Sequence, residues 1–162
     1  MADRTTGNTP GSFAQASAVP GDAAIEWLDE DECLRLINTA EIGRLAYTGR
    51  YGLTILPLNY RLFQGTIVFR TSQDDTVDED LRTGIEGAEF KVAFEIDSIN
   101  PARREGWSTL VQGTAHHVDT DAERAEVSRA GVEPWPGGER ELFIRIVPIR
   151  ISGRRVRRRQ AG

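Results

Sequence analysis

Cysteine is nearly absent from this sequence. The 162 residues contain one, Cys33, so no internal disulfide can form and nothing points to an oxidising compartment. Histidine is almost as scarce. The adjacent pair His116–His117, together with Cys33, does not offer ligands at zinc-finger or metalloprotease spacing, and no metal site is expected. No run approaches the roughly 20 apolar residues that a membrane-spanning helix needs. The N-terminus also lacks the basic start and apolar stretch of a secretory signal. A cytoplasmic location without membrane contact follows as the expectation. Three catalytic signatures are missing as well: a Gly-x-Ser-x-Gly elbow, a phosphate loop ending in Gly-Lys, and a dinucleotide-binding glycine fingerprint.

Hydrophobic residues make up 39% and charged residues 28%, the balance of an ordinary globular domain long enough to bury a core. The net charge of −5 is unevenly spread. Arg150, Arg154, Arg155, Arg157, Arg158 and Arg159 crowd the C-terminus of an otherwise acidic chain. An acidic body with a basic tip is a poor general nucleic-acid binder. Residues 1–24 are rich in Gly, Ser, Thr, Ala and Pro and cannot repay their ordering entropy, which predicts disorder. The expected division is therefore a disordered segment over 1–24, a folded domain over 25–153 and a basic tail over 154–162.

A helix is predicted over Glu30–Thr39. Asp29 caps it, Glu32 completes a capping box, and Cys33, Leu36, Ile37 and Ala40 recur at helical spacing. Beyond Ile42 the texture changes to short extended runs separated by turn residues. Strands are predicted over Gly43–Tyr47, Leu53–Leu62, Thr66–Thr71, Lys91–Asp97, Trp107–Val118 and Leu142–Ile151. Two helices interrupt them, one over Thr76–Arg82 and one opened by the capping box Thr120–Glu123 and closed by Gly131. Hairpins with inserted helices, and no strand–helix alternation, predict a mainly β fold: a closed antiparallel barrel.

Three clusters of polar residues carry candidate chemistry. Pro57-Leu58-Asn59-Tyr60 lies inside an otherwise apolar strand. Asn59 can read the edge of a heterocycle or satisfy backbone groups at a bend. Phe69-Arg70-Thr71-Ser72 precedes a helix, an arrangement that suits either a phosphate cradle or a solvated strand end. Trp107-Ser108 follows Gly106, where the indole either covers a flat ring or plugs a barrel mouth. His116 and His117 point to opposite faces of one strand. Glu95 and Asp97 share a face of another, as an acid–base pair or as a solvated or arginine-paired surface. The segment Glu133-Pro134-Trp135-Pro136-Gly137-Gly138 either covers a cleft or caps the preceding helix.

The order of these pieces resembles the pyridoxamine 5′-phosphate-oxidase-like flavin-binding proteins, in particular the branch that includes nitroimidazole reductases. The resemblance rests on Cys33-Leu34-Arg35-Leu36-Ile37, Ile42-Gly43-Arg44-Leu45-Ala46-Tyr47, Ile55 to Tyr60, Ile67 to Thr71, Val92 to Asp97, Gly106 to Gly113 and Ile151-Ser152-Gly153-Arg154. It implies a six-stranded split β-barrel, a homodimer, and one flavin mononucleotide (FMN) in each cleft between subunits. It places ring contacts at Leu58, Asn59 and Tyr60, phosphate contacts at Arg70, Thr71 and Ser72, and a further approach to the ring at Trp107 and Ser108. It implies an oxidoreductase acting on a small molecule. One departure stands out. Where relatives carry a basic residue at the start of the helix after the third strand, this sequence has Thr76, preceded by Asp74 and Asp75. Carboxylates there repel a phosphate dianion, which admits a deazaflavin coenzyme, or a cofactor-free regulatory module, as alternatives to FMN.

Overall fold

The computed structural model describes residues 23–73, 75–82 and 89–158. Ten elements follow in order: β1 (Ala24–Leu28), α1 (Glu30–Ile37), β2 (Ile42–Gly49), β3 (Gly52–Phe63), β4 (Thr66–Thr71), α2 (Thr76–Leu81), β5 (Phe90–Asn100), β6 (Glu105–His117), α3 (Asp121–Ser128) and β7 (Leu142–Arg157). The strands pair antiparallel in the order β1-β7-β4-β3-β2-β5-β6, and a further β6–β7 pairing closes the ring. This is the mainly β split barrel that the sequence predicts, with β1 added as a seventh strand on β7.

Alternation builds the core. Leu45, Tyr47, Tyr60, Ile67, Phe69, Phe94, Ile96, Val111, Ile144 and Ile146 point inward and are buried, as period-two patterning requires. Tyr60 and Phe94 meet edge-to-face with centroids 5.2 Å apart, and the Tyr60 hydroxyl donates to the Ile37 carbonyl at the end of α1. Burial pushes the Tyr60 phenol well above its ordinary pKa. A smaller cluster on the outer face of β4 and β7 joins Val68 and Phe143 to Val127 of α3, with Val118 and Val132. Two caps match the sequence, with Asp29 accepting from Glu32 N–H and Thr120 from Glu123 N–H, and the structure adds a third, Asp75 accepting from Val77 N–H.

The boundaries differ at both ends. Ala24 and its neighbours form β1, although residues 1–22 of the expected disordered segment lie outside the described residues. β7 continues past Gly153 to Arg157, into what the composition marks as a tail; residues 159–162 are outside the described set. Pairing explains both. Ala24–Leu28 is in register with Gly153–Arg157, and Gly153–Val156 also pairs with Gly106–Thr109. Arg155 and Arg157 reach Glu26, and Arg155 also reaches Glu32, so these arginines neutralise the acidic start of the domain. Arg35 and Arg155 hold the Glu32 carboxyl well below the usual range, at about 2.

Candidate functional site

The pairing of Tyr60 with Phe69 sets Asn59 beside Arg70 on the outer face, because residues opposite each other on antiparallel strands share a face. Tyr60 itself faces the core and is fully buried, so its side chain contributes packing there. Leu58 is half-buried against the same core. A groove of about 460 Å³ opens over this corner, walled by Ile42, Pro57, Leu58 and the loop Pro134-Trp135-Pro136, with Asn59, Arg70 and Arg140 as its polar groups. The loop is tied down by the residues that line the groove. Trp135 N–H donates to Asn59 Oδ1 at 2.9 Å. Arg70 donates through Nε to the Arg140 carbonyl at 2.7 Å and through a terminal nitrogen to the Val132 carbonyl at 3.3 Å, and its guanidinium lies 5.2 Å from the centre of the Phe143 ring. The segment Glu133–Gly138 thus does cover a cleft.

Two buried polar atoms at this end have no partner among the described residues: Thr71 Oγ1 and Arg140 Nε. Thr71 closes β4 opposite Leu142, two residues after Arg140. Its side chain is buried on the inner face, opposite to Arg70, while Ser72 is partly exposed. Thr76 opens α2 and is exposed. Asp74 lies outside the described residues, and Asp75 does not stand free: it caps α2 and accepts from Arg140 across 3.4 Å. The residues present fit an anion, since an arginine nitrogen buried without a partner is the donor a phosphate oxygen would satisfy.

Trp107 and Ser108 sit elsewhere. They line a second groove of about 370 Å³ with Ile99, Arg104, Arg154 and Val156. Trp107 also packs against the core, so it closes the barrel and lines a groove at once. Gly106 allows β5 and β6 to approach here, since a Cβ would stand 2.5 Å from the Ser98 carbonyl oxygen. Ser108 faces outward opposite Asp97 and Arg154. It shares the outer face with Asn59 but lies three strand steps away across β2 and β5, about 14 Å along the sheet. A single chain therefore does not bring the two sets of candidate residues together.

Other candidates resolve into structural pairs. Arg44 bridges Glu95 at 2.9 Å and Asp97 at 3.2 Å, the arginine-paired alternative. Burial raises the Glu95 carboxyl pKa against the pull of Arg44. His116 and His117 do face opposite ways: His116 meets Glu123 of α3, and His117 meets Asp78 of α2 at 2.7 Å. Cys33 is buried, which raises its thiol pKa. Among the described residues no group of His, Cys, Asp and Glu is arranged to hold a metal, and no helix is long and apolar enough to cross a membrane. Arg140 was not legible as a site residue, whereas the Trp135 loop was, as a possible cleft cover. No local pattern marks Arg140; only the β4–β7 register brings it to the Arg70 corner.

Comparison with known proteins gives the arrangement its context. An uncharacterised protein of Mycobacterium tuberculosis is 31% identical over 148 residues, covering 91% of this chain and 95% of that protein. The solved structure of an FAD-binding protein from Mycobacterium smegmatis superposes with a TM-score of 0.65 at 29% identity, covering 80% of this chain and 98% of that one. An FAD-binding protein of Mesorhizobium loti gives 0.64 at 18% identity, with coverages of 83% and 98%, a likeness of fold alone. The pyridoxamine 5′-phosphate oxidase family model matches residues 29–155. That span runs from the cap of α1 to near the end of β7 and takes in all of the first groove and most of the second, and the chain belongs to the pyridoxamine 5′-phosphate oxidase family.

Proposed function

We propose that this chain is a flavin-binding oxidoreductase that completes its site as a homodimer in the cytoplasm, with FMN as the cofactor. The separation of Asn59 and Arg70 from Trp107 and Ser108 carries this reading. One protomer offers the groove with Asn59, Arg70 and Arg140 at one end of the outer face and the groove with Trp107 and Ser108 at the other. A second copy laid across that face would join each groove to its complement. Leu53, Ile55 and Ile99 on the same face are exposed, an apolar surface suited to such a partner. Similarity to the FAD-binding protein of Mycobacterium smegmatis supports the flavin.

The chemistry belongs to the cofactor: a bound flavin accepts and returns a hydride at its ring. The chain's own task is to hold it. Arg70 supplies positive charge at the phosphate end. Asn59 presents an amide whose oxygen already accepts from the Trp135 backbone, leaving its NH2 to donate to a ring carbonyl. Pro57, Leu58 and Trp135 wall the groove and exclude water from one side.

The experiment is an absorbance titration of the purified protein with FMN. Saturation at one flavin per chain with micromolar affinity supports the reading. A folded dimer that takes up neither FMN, FAD nor a deazaflavin refutes it. That outcome would favour the second reading, a cofactor-free module, for which the specific observation is that the loop already occupies Asn59 Oδ1 and Arg70 Nε.

A further inference from the structure

We infer that Arg140, delivered by the loop before β7, is the second cation of the anion site, beside Arg70. This inference rests on the flavin reading for the identity of the anion, though not for its existence. Four observations converge. Arg140 lines the groove beside Arg70. Its Nε is buried and unpartnered among the described residues, which costs free energy unless an acceptor arrives. Its other contact, to Asp75 at 3.4 Å, neutralises the carboxylate that would otherwise repel a phosphate. Finally, its backbone carbonyl accepts from Arg70 Nε at 2.7 Å, so the Arg70 guanidinium is held against the loop that carries Arg140.

The charge balance favours an anion. Arg70 and Arg140 both line the groove, and among the described residues Asp75 is the one carboxylate that pairs with either; Glu139 and Glu141 flank Arg140 in sequence, and neither makes an ion pair with it among the described residues. Arginine also suits the task better than lysine would, because its planar fork can hold Asp75 on one side and present Nε to a phosphate oxygen on the other. The ligand class is thus a phosphate monoester or diester, carried on a flat group that packs against Pro57 and Trp135.

Thermal unfolding of the full-length protein in inorganic phosphate, against chloride at equal ionic strength, tests the site without any flavin. Phosphate should raise the midpoint of the wild type and of Arg140→Lys, and leave Arg140→Gln unmoved. An Arg140→Gln protein that is stabilised as much as the wild type overturns the inference, and so does a wild type that phosphate fails to stabilise. Arg140→Lys keeps a cation beside Asp75, so a response in it but not in Arg140→Gln assigns the effect to the charge at this position. A second arm compares FMN with riboflavin, which lacks the phosphate. The wild type should prefer FMN by roughly tenfold or more, the worth of one charge-assisted hydrogen bond, and Arg140→Gln should lose most of that preference. Phosphate stabilisation that depends on Arg140, without any flavin binding, sustains this inference and sinks the flavin reading. Flavin binding with an unchanged FMN preference in Arg140→Gln does the reverse.

Discussion

His117→Ala should be among the most damaging single substitutions in the molecule. His117 Nε2 donates to Asp78 Oδ1 at 2.7 Å, and the two side chains are 8% and 4% exposed. Removing the imidazole leaves a buried carboxylate whose one remaining ion-pair partner among the described residues is Arg82, at 3.1 Å and nearly half exposed. Breaking a buried pair by deleting one partner costs about 3–5 kcal/mol. Arg82 is screened by solvent and recovers little of that, so about 3 kcal/mol is expected. For a domain of this size the melting midpoint should then fall by roughly 6–12 °C. The cause is a stranded charge, so Asp78→Ala in the same chain should restore part of the loss. Urea denaturation of wild type, both single variants and the double variant closes the cycle. A His117→Ala protein within about 1 kcal/mol of wild type, or strict additivity in the double variant, would refute the reasoning. The consequence reaches the site. α2 is only six residues long, too short to persist alone, and it is anchored by this pair and by Arg50 on Glu79 and Asp80.

Further expectations follow from the same contacts. Tyr60→Phe strands the Ile37 carbonyl at the end of α1 and should cost about 1–2 kcal/mol, measured by chemical denaturation. Deleting all residues after Gly153 removes the partners of Ala24–Trp27 and of Gly106–Ser108; circular dichroism should show a lower and less cooperative melt, whereas a solvated tail would be dispensable. Glu32 is held at about 2, from an ordinary 4.5, by Arg35 and Arg155. A depressed folded value stabilises fully above pH 4.5 and loses that contribution as pH falls towards 2. Acid titration of stability should therefore be flatter in Glu32→Gln than in wild type over that window. Gly113→Ala would place a Cβ 2.2 Å from the Val147 carbonyl oxygen at the β6–β7 irregularity; backbone cannot yield cheaply there, and a loss of about 1–3 kcal/mol is expected by thermal melting.

Alternation of apolar residues made six of the seven strands legible, because each buries one face. The Thr66–Thr71 strand even matches at both ends. β1 escaped for the opposite reason: its larger apolar side chains, Ile25 and Trp27, are exposed, and what orders it is pairing with arginines more than a hundred residues away. The same pairing turned four residues of a nominal tail into strand. Site residues divide along a similar line. Asn59 and Arg70 announce themselves by being polar beside apolar strands, and the structure sets them side by side. Arg140 carries no such mark, since its role depends on a loop whose path only the folded barrel determines. Tyr60 shows the converse: its polar atom serves α1 from inside the core.

A complementation experiment tests the shared cleft most directly. Arg70→Ala damages one groove and Ser108→Tyr blocks the other, so neither homodimer should retain FMN. Co-expressed in equal amounts, half of the dimers are mixed, and each mixed dimer carries one intact pair of grooves. About a quarter of the wild-type flavin content should therefore return. No recovery of flavin, when the wild type is fully loaded, would place the whole site within one chain and contradict the account.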